Sequence, residues 1–118
     1  MITVQNLRER EPELARLKPS DGELQAFINT AFRDFRSQFK MEYGYNPNND
    51  DTEYITLIEF LALNYVFESL IKTDDIYIAK ADRYRNLYNE WFAKLSYNNT
   101  NINTNGLYGT AETIGILR

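Results

Sequence analysis

Residues 55–71 constrain this chain more than any other segment. Twelve of the seventeen are apolar, too many for a single buried stripe. A helix that is apolar nearly all round must be buried nearly all round. Glu59, Asn64 and Glu68 interrupt the run, and it is too short to cross a bilayer. It is therefore expected to be the central helix of a small bundle, over about residues 52–72. Ile58, Leu61, Ala62, Tyr65 and Val66 form its main core face. Phe60, Leu63 and Phe67 make a second stripe, beside Thr56 and Glu59. In a chain of 118 residues, enough for one domain with one core, that second stripe meets either the flanking helices or a neighbouring subunit. Core is the plainer reading of the stripe, and subunit interface is the functional one.

The flanking helices are legible by period and by caps. Residues 3–17 carry Val4, Leu7, Leu14 and Leu17 as apolar positions, and Pro12 interrupts them. A short first helix ending near Glu11 follows. Ser20 with Glu23 three residues later is a capping box, and it opens a second helix. Leu24, Phe27, Ile28, Ala31, Phe35 and Phe39 share one face of that helix. Asn29, Arg33, Arg36 and Lys40 lie on the opposite face. This basic stripe is either a solvated face or a contact for acidic surface, and Asp50, Asp51 and Glu53 of another copy are the candidate counterpart. A fourth helix runs to about Ser96, with Tyr77, Ala81, Tyr84, Leu87, Tyr88, Trp91 and Leu95 on its core face.

Composition removes several chemistries. The chain has no His and no Cys, so it lacks the commonest general base, a thiol nucleophile and the usual zinc ligands. No catalytic residue, cofactor or metal is assigned, and no pair of carboxylates at helical spacing faces inward. A twelve-residue calcium loop starting at Asn48 would end on Glu59. Its sixth position is Glu53, however, where the turn requires Gly, and residues 55–59 already read as helix. The opening residues are too charged for a secretory leader. Residues 41–73 hold one Lys against six acids, within a total charge of −4. So acidic a chain is a poor general binder of nucleic acid; the charge suits ordinary solubility, or a passage through which DNA slides.

Residues 97–118 break the helical pattern. Ile102 and Ile114 sit in period-two runs, and Asn105-Gly106 is a hairpin signal. The expectation is an extended tail or β-hairpin arm, divided from the helical body of residues 1–96. Its anchors are Ile102, Leu107, Tyr108, Ile114, Ile116 and Leu117. A terminus rich in Asn, Thr and Gly frays unless something holds it, and strand addition to another protein is one way to hold it. The fold class is all-α: a small antiparallel bundle of about four helices carrying that arm.

Residues 20–39 (SDGELQAFINTAFRDFRSQF) and 53–95 share further features: a capped amphipathic helix with Ala and aromatics, an apolar central helix, and Ala81, Tyr84, Tyr88 and Trp91 in the last helix. In these, residues 5–96 resemble the small helical head–tail connector proteins of tailed bacteriophages, also called adaptor or head-completion proteins. The resemblance implies a virion protein, assembled in the host cytoplasm, in a homo-oligomeric dodecameric ring beneath the portal. DNA passes through such a ring without sequence-specific recognition, an extended terminus reaches portal or tail proteins, and no membrane is involved. The Asn-rich tail and the acidic loop near Asp50 depart from the pattern. The other class that fits is a small phage-encoded acidic binding or inhibitor protein acting as a monomer or dimer.

Overall fold

The computed structural model describes residues 2–16, 19–48, 52–72 and 74–107, with the side chains of the last helix described as far as Leu95. Four α-helices carry the fold: α1 (Val4–Arg10), α2 (Asp21–Tyr43), α3 (Thr52–Leu70) and α4 (Ile76–Leu107). A single 3₁₀ turn, Pro12–Ala15, follows α1. The described residues contain no strand, and none of their helices is long and apolar enough to cross a membrane.

Local sequence sets the ends of the first two helices. Thr3 caps α1 through its hydroxyl, and the Asn6 side chain accepts from the Thr3 N–H in return. Pro12 has no N–H to continue the helix, so the chain tightens into the 3₁₀ turn there. Ser20 and Glu23 form the expected capping box on α2. Gly44 stops α2 in the left-handed region at φ 82°, where a residue with a Cβ is strained.

α3 is the axis of the molecule. Eleven of its nineteen residues are buried, and α2 and α4 pack along it while α1 crosses its remaining face. α2 contributes Leu24, Ile28, Ala31, Phe35 and Phe39, all fully buried. The rings of Phe35 and Phe39 lie 5.5 and 5.2 Å from Tyr54, which places the end of α2 beside the start of α3. α4 returns antiparallel to α3. Phe67 stacks on Tyr77 and Tyr84, and Phe60 lies against Tyr84 and Trp91.

Two expectations need correction here. Phe60, Leu63 and Phe67 are 4, 0 and 0% exposed within the single chain, so they are core and not subunit interface. The physical reason is chiefly α4: Phe67 stacks on Tyr77 and Tyr84, Phe60 lies against Tyr84 and Trp91, and the Arg10 guanidinium of α1 covers the Phe60 ring. The second correction concerns the arm. The backbone of α4 continues without a break from Ser96 to Leu107, through the period-two run and the Asn105-Gly106 pair. Adding a residue to an existing helix avoids the nucleation cost, which the packed part of α4 has already met. The side chains of Ile102 and Leu107 lie outside the described residues, as do Tyr108, Ile114, Ile116 and Leu117 altogether.

Candidate functional site

The ionisable groups divide into a buried set and an exposed set. The buried set lies where α1 and the 3₁₀ turn meet α3 and α4. Glu11, 8% exposed, accepts hydrogen bonds from the Tyr84 hydroxyl and from Lys80 Nζ, the latter at 2.6 Å. Lys80 also pairs with Glu13 and lies 5.3 Å from the centre of the Phe67 ring. On the neighbouring turn, Arg10 pairs with Glu59, which is 9% exposed. Arg8 donates to the Leu14 carbonyl at 2.8 Å and to Asp21 at 2.6 Å, tying the N-terminal segment to α2.

These contacts shift protonation in consistent directions. Burial alone would raise the Glu11 carboxyl, but the bonds from Lys80 and Tyr84 and the charges of Lys80 and Arg83 outweigh it and hold the group low. Burial would likewise lower Lys80, and its two carboxylate partners overcome that and raise it. Burial and the Glu11 carboxylate both push the Tyr84 hydroxyl up. Every buried charge in this set is thus met by an opposite charge or a phenol. The arrangement fastens the N-terminal segment to the bundle, and it was not anticipated from sequence. The signal was Glu59 itself, a carboxylate inside an apolar run, which requires a cation from outside its own helix.

A second polar seam joins α2 to α3 and α4. The Tyr65 hydroxyl donates to Asp34 at 2.6 Å, and the Tyr88 hydroxyl donates to Gln38. Burial and the Asp34 carboxylate push Tyr65 up to about 12. Asn64, 1% exposed, donates to the Ala81 carbonyl at 2.8 Å and fixes the register of α3 on α4.

The exposed set is the basic stripe of α2. Phe32, Arg33, Arg36, Ser37, Lys40 and Asn46 line a shallow groove of about 260 Å³. Asn46 is brought there by the turn that Gly44 opens. Arg36 lies 5.4 Å from the centre of the Phe32 ring, and Arg33 donates to Asp34 at 3.3 Å. Among the described residues neither Arg36 nor Lys40 has an ion pair. The groove therefore presents two guanidinium groups, an ammonium, a hydroxyl and an amide to solvent. That donor set suits carboxylate or other oxyanion groups.

The structure thus keeps Arg33, Arg36 and Lys40 together as a surface feature, whereas Asp50 and Asp51 lie outside the described residues. α3 begins at Thr52, so residues 52–59 are helix and the twelve-residue calcium loop does not form. On α4, Tyr77, Ala81, Tyr84, Tyr88 and Leu95 are core as expected, and Leu87 packs half-buried against it. Phe92 replaces Trp91 in the core, because it follows Tyr88 by four residues and meets Phe35 of α2. Trp91 remains 39% exposed, beside a second shallow groove with Glu53, Leu57, Lys94 and Leu95. No protein-family model, curated protein or solved structure matches the chain.

Proposed function

We propose that the chain is a structural subunit of a head–tail connector, forming a homo-oligomeric ring between a capsid portal and a tail through which DNA passes. The reading begins from the resemblance of residues 5–96, and one structural observation carries it further. α4 is thirteen residues longer than α3 and continues twelve residues beyond Leu95, the position that shares a groove with Glu53 in the first turn of α3. At 1.5 Å per residue those twelve add about 18 Å of helix. The long axis of the molecule is 53 Å, against 27 and 21 Å across.

Sequence gives that extension little means of holding itself. Residues 96–107 contain only Tyr97, Ile102 and Leu107 as large apolar members. A helix so polar gains little from burying a stripe of its own, and a binding partner supplies what it lacks. In this reading the extension and the residues beyond it engage portal or tail proteins, while the basic groove of α2 meets acidic surface on the next copy. Repetition around a ring turns weak single contacts into firm attachment. The buried carboxylates have a structural task here, since Glu11 and Glu59 each hold the N-terminal segment in place.

The test is removal of residues 97–118. The shortened chain is expected to keep its helical circular dichroism up to Leu95 and its cooperative unfolding, and to lose binding to the purified portal ring of the same virus. Electron microscopy of the full chain should show annular particles alone or on that portal. A full chain that remains a monomer or dimer and ignores the portal would sink the connector reading and favour the small acidic binding protein.

A further inference from the structure

Two surfaces of this molecule carry charges of opposite sign that form no ion pair among the described residues, and their centres stand apart along its length. The first is the α2 groove, where Arg36 and Lys40 have no ion pair among the described residues. The second is the turn from α3 to α4, where Glu68, Asp74 and Asp75 are exposed and likewise form no ion pair among the described residues. Phe39, next to Lys40, packs on Tyr54 at 5.2 Å. Glu68 lies fourteen residues further along the same helix, about 21 Å away at the α-helical rise. Lys40 and Glu68, so placed, do not reach one another within one chain.

Both surfaces also expose apolar side chains, which solvated charge alone does not explain. Met41 and Tyr45, 87 and 55% exposed, flank the end of α2. Ile76 and Ile78, 62 and 44% exposed, flank the acidic turn. Large apolar side chains beside unpaired charge are what a protein contact buries, with the charges left to fix orientation. A polynucleotide would meet this acidic chain against its net charge, so a carboxylate-bearing protein surface suits the groove better.

We infer that the basic groove of α2 in one copy seats the acidic α3–α4 turn of a second copy. Arg33, Arg36 and Lys40 meet Glu68, Asp74 and Asp75, and Met41 packs near Ile76 and Ile78. The two surfaces differ, so a pair in contact still has one of each to offer, one on either copy. Such a heterologous contact closes into a ring or runs on, and does not stop at a pair. This names the contact inside the homo-oligomer proposed above and rests on that reading.

Charge reversal tests it in the full chain. One variant carries Arg36→Glu with Lys40→Glu. The other carries Glu68→Lys with Asp75→Lys, leaving Asp74 because its carboxylate accepts from the Ile76 N–H at 3.1 Å. Sedimentation velocity should show wild type self-associating at about 0.05 M salt and weakening at least about tenfold at about 0.5 M. Each variant alone should lose at least about tenfold in self-association with unchanged circular dichroism. Mixed, the two variants should again form particles larger than dimers. The contact is overturned by a monomeric wild type at low salt, by a reversed variant that assembles like wild type, or by a mixture that stays apart or halts at dimers. If a reversed pair fails to fold, Arg36→Gln with Lys40→Gln reads the same contact, with the same loss expected. Portal binding in the same preparations reads the connector proposal separately, so the two can fail independently.

Discussion

Replacing Glu11 by Ala removes the carboxylate that joins the N-terminal segment to α4. The Tyr84 hydroxyl, on a residue 3% exposed, is left without its acceptor. A stranded buried hydroxyl costs about 1–3 kcal/mol. The Lys80 side chain is 38% exposed and keeps Glu13, so solvent screens its loss to about 1 kcal/mol or less. Together these amount to about 3 kcal/mol. With a urea slope of about 1.5–2 kcal/mol per molar for a chain of this size, the midpoint should fall by about 1.5–2 M with an unchanged slope. Tyr84→Phe alone should cost about 1 kcal/mol, and in that background Glu11→Ala should cost at least about 1 kcal/mol less than it does alone. The pH dependence gives an independent check. The folded carboxyl is held below its ordinary value of 4.5, so its contribution is complete above that value and is lost as pH falls through the folded one. The gap between wild type and Glu11→Ala should therefore narrow in acid. A midpoint shift worth under about 0.5 kcal/mol, or an equal loss in both Tyr84 backgrounds, would refute the fastening role.

Three further outcomes are expected. Phe67→Ala empties a fully buried site between Tyr77 and Tyr84 and should cost about 3–5 kcal/mol in chemical denaturation, whereas a subunit-interface residue would leave the monomer nearly as stable. Gly44→Ala meets no neighbour within 4 Å, so its cost is backbone strain alone, about 1 kcal/mol, read as a fall in the thermal midpoint without loss of helix content. Tyr65, Tyr84 and Tyr88 all hold their protons more tightly in the folded state than their ordinary value of 10.0. Stability they contribute is complete below that value and is lost as pH rises through the folded values. Ultraviolet titration should then show these phenols ionising late and together with unfolding, and early ionisation of all nine tyrosines would contradict the seams described above.

Most of the architecture was written in local pattern. The Ser20–Glu23 box, the three-and-four spacing of Leu24 to Phe39 and the apolar density of residues 55–71 each act within a few residues of chain, so they are readable without knowing the fold. The basic stripe was readable for the same reason, because a helix places Arg33, Arg36 and Lys40 on one side whatever packs behind it. What local pattern could not assign was the partner of each surface. Phe60, Leu63 and Phe67 read as core or as interface, with core the plainer reading, and the packing of α4 with Arg10 of α1 made them core. Glu11 and Lys80 are 69 positions apart, and nothing in either neighbourhood names the other. The course of α4 past Ser96 was decided by helix propagation from a packed segment, against Asn and Gly residues that by themselves suggest a turn. Sequence determined which faces are apolar, basic or capped, because periodicity is a local property. Tertiary structure alone decided which of those faces meet, because burial depends on residues that are distant in the chain and adjacent in space.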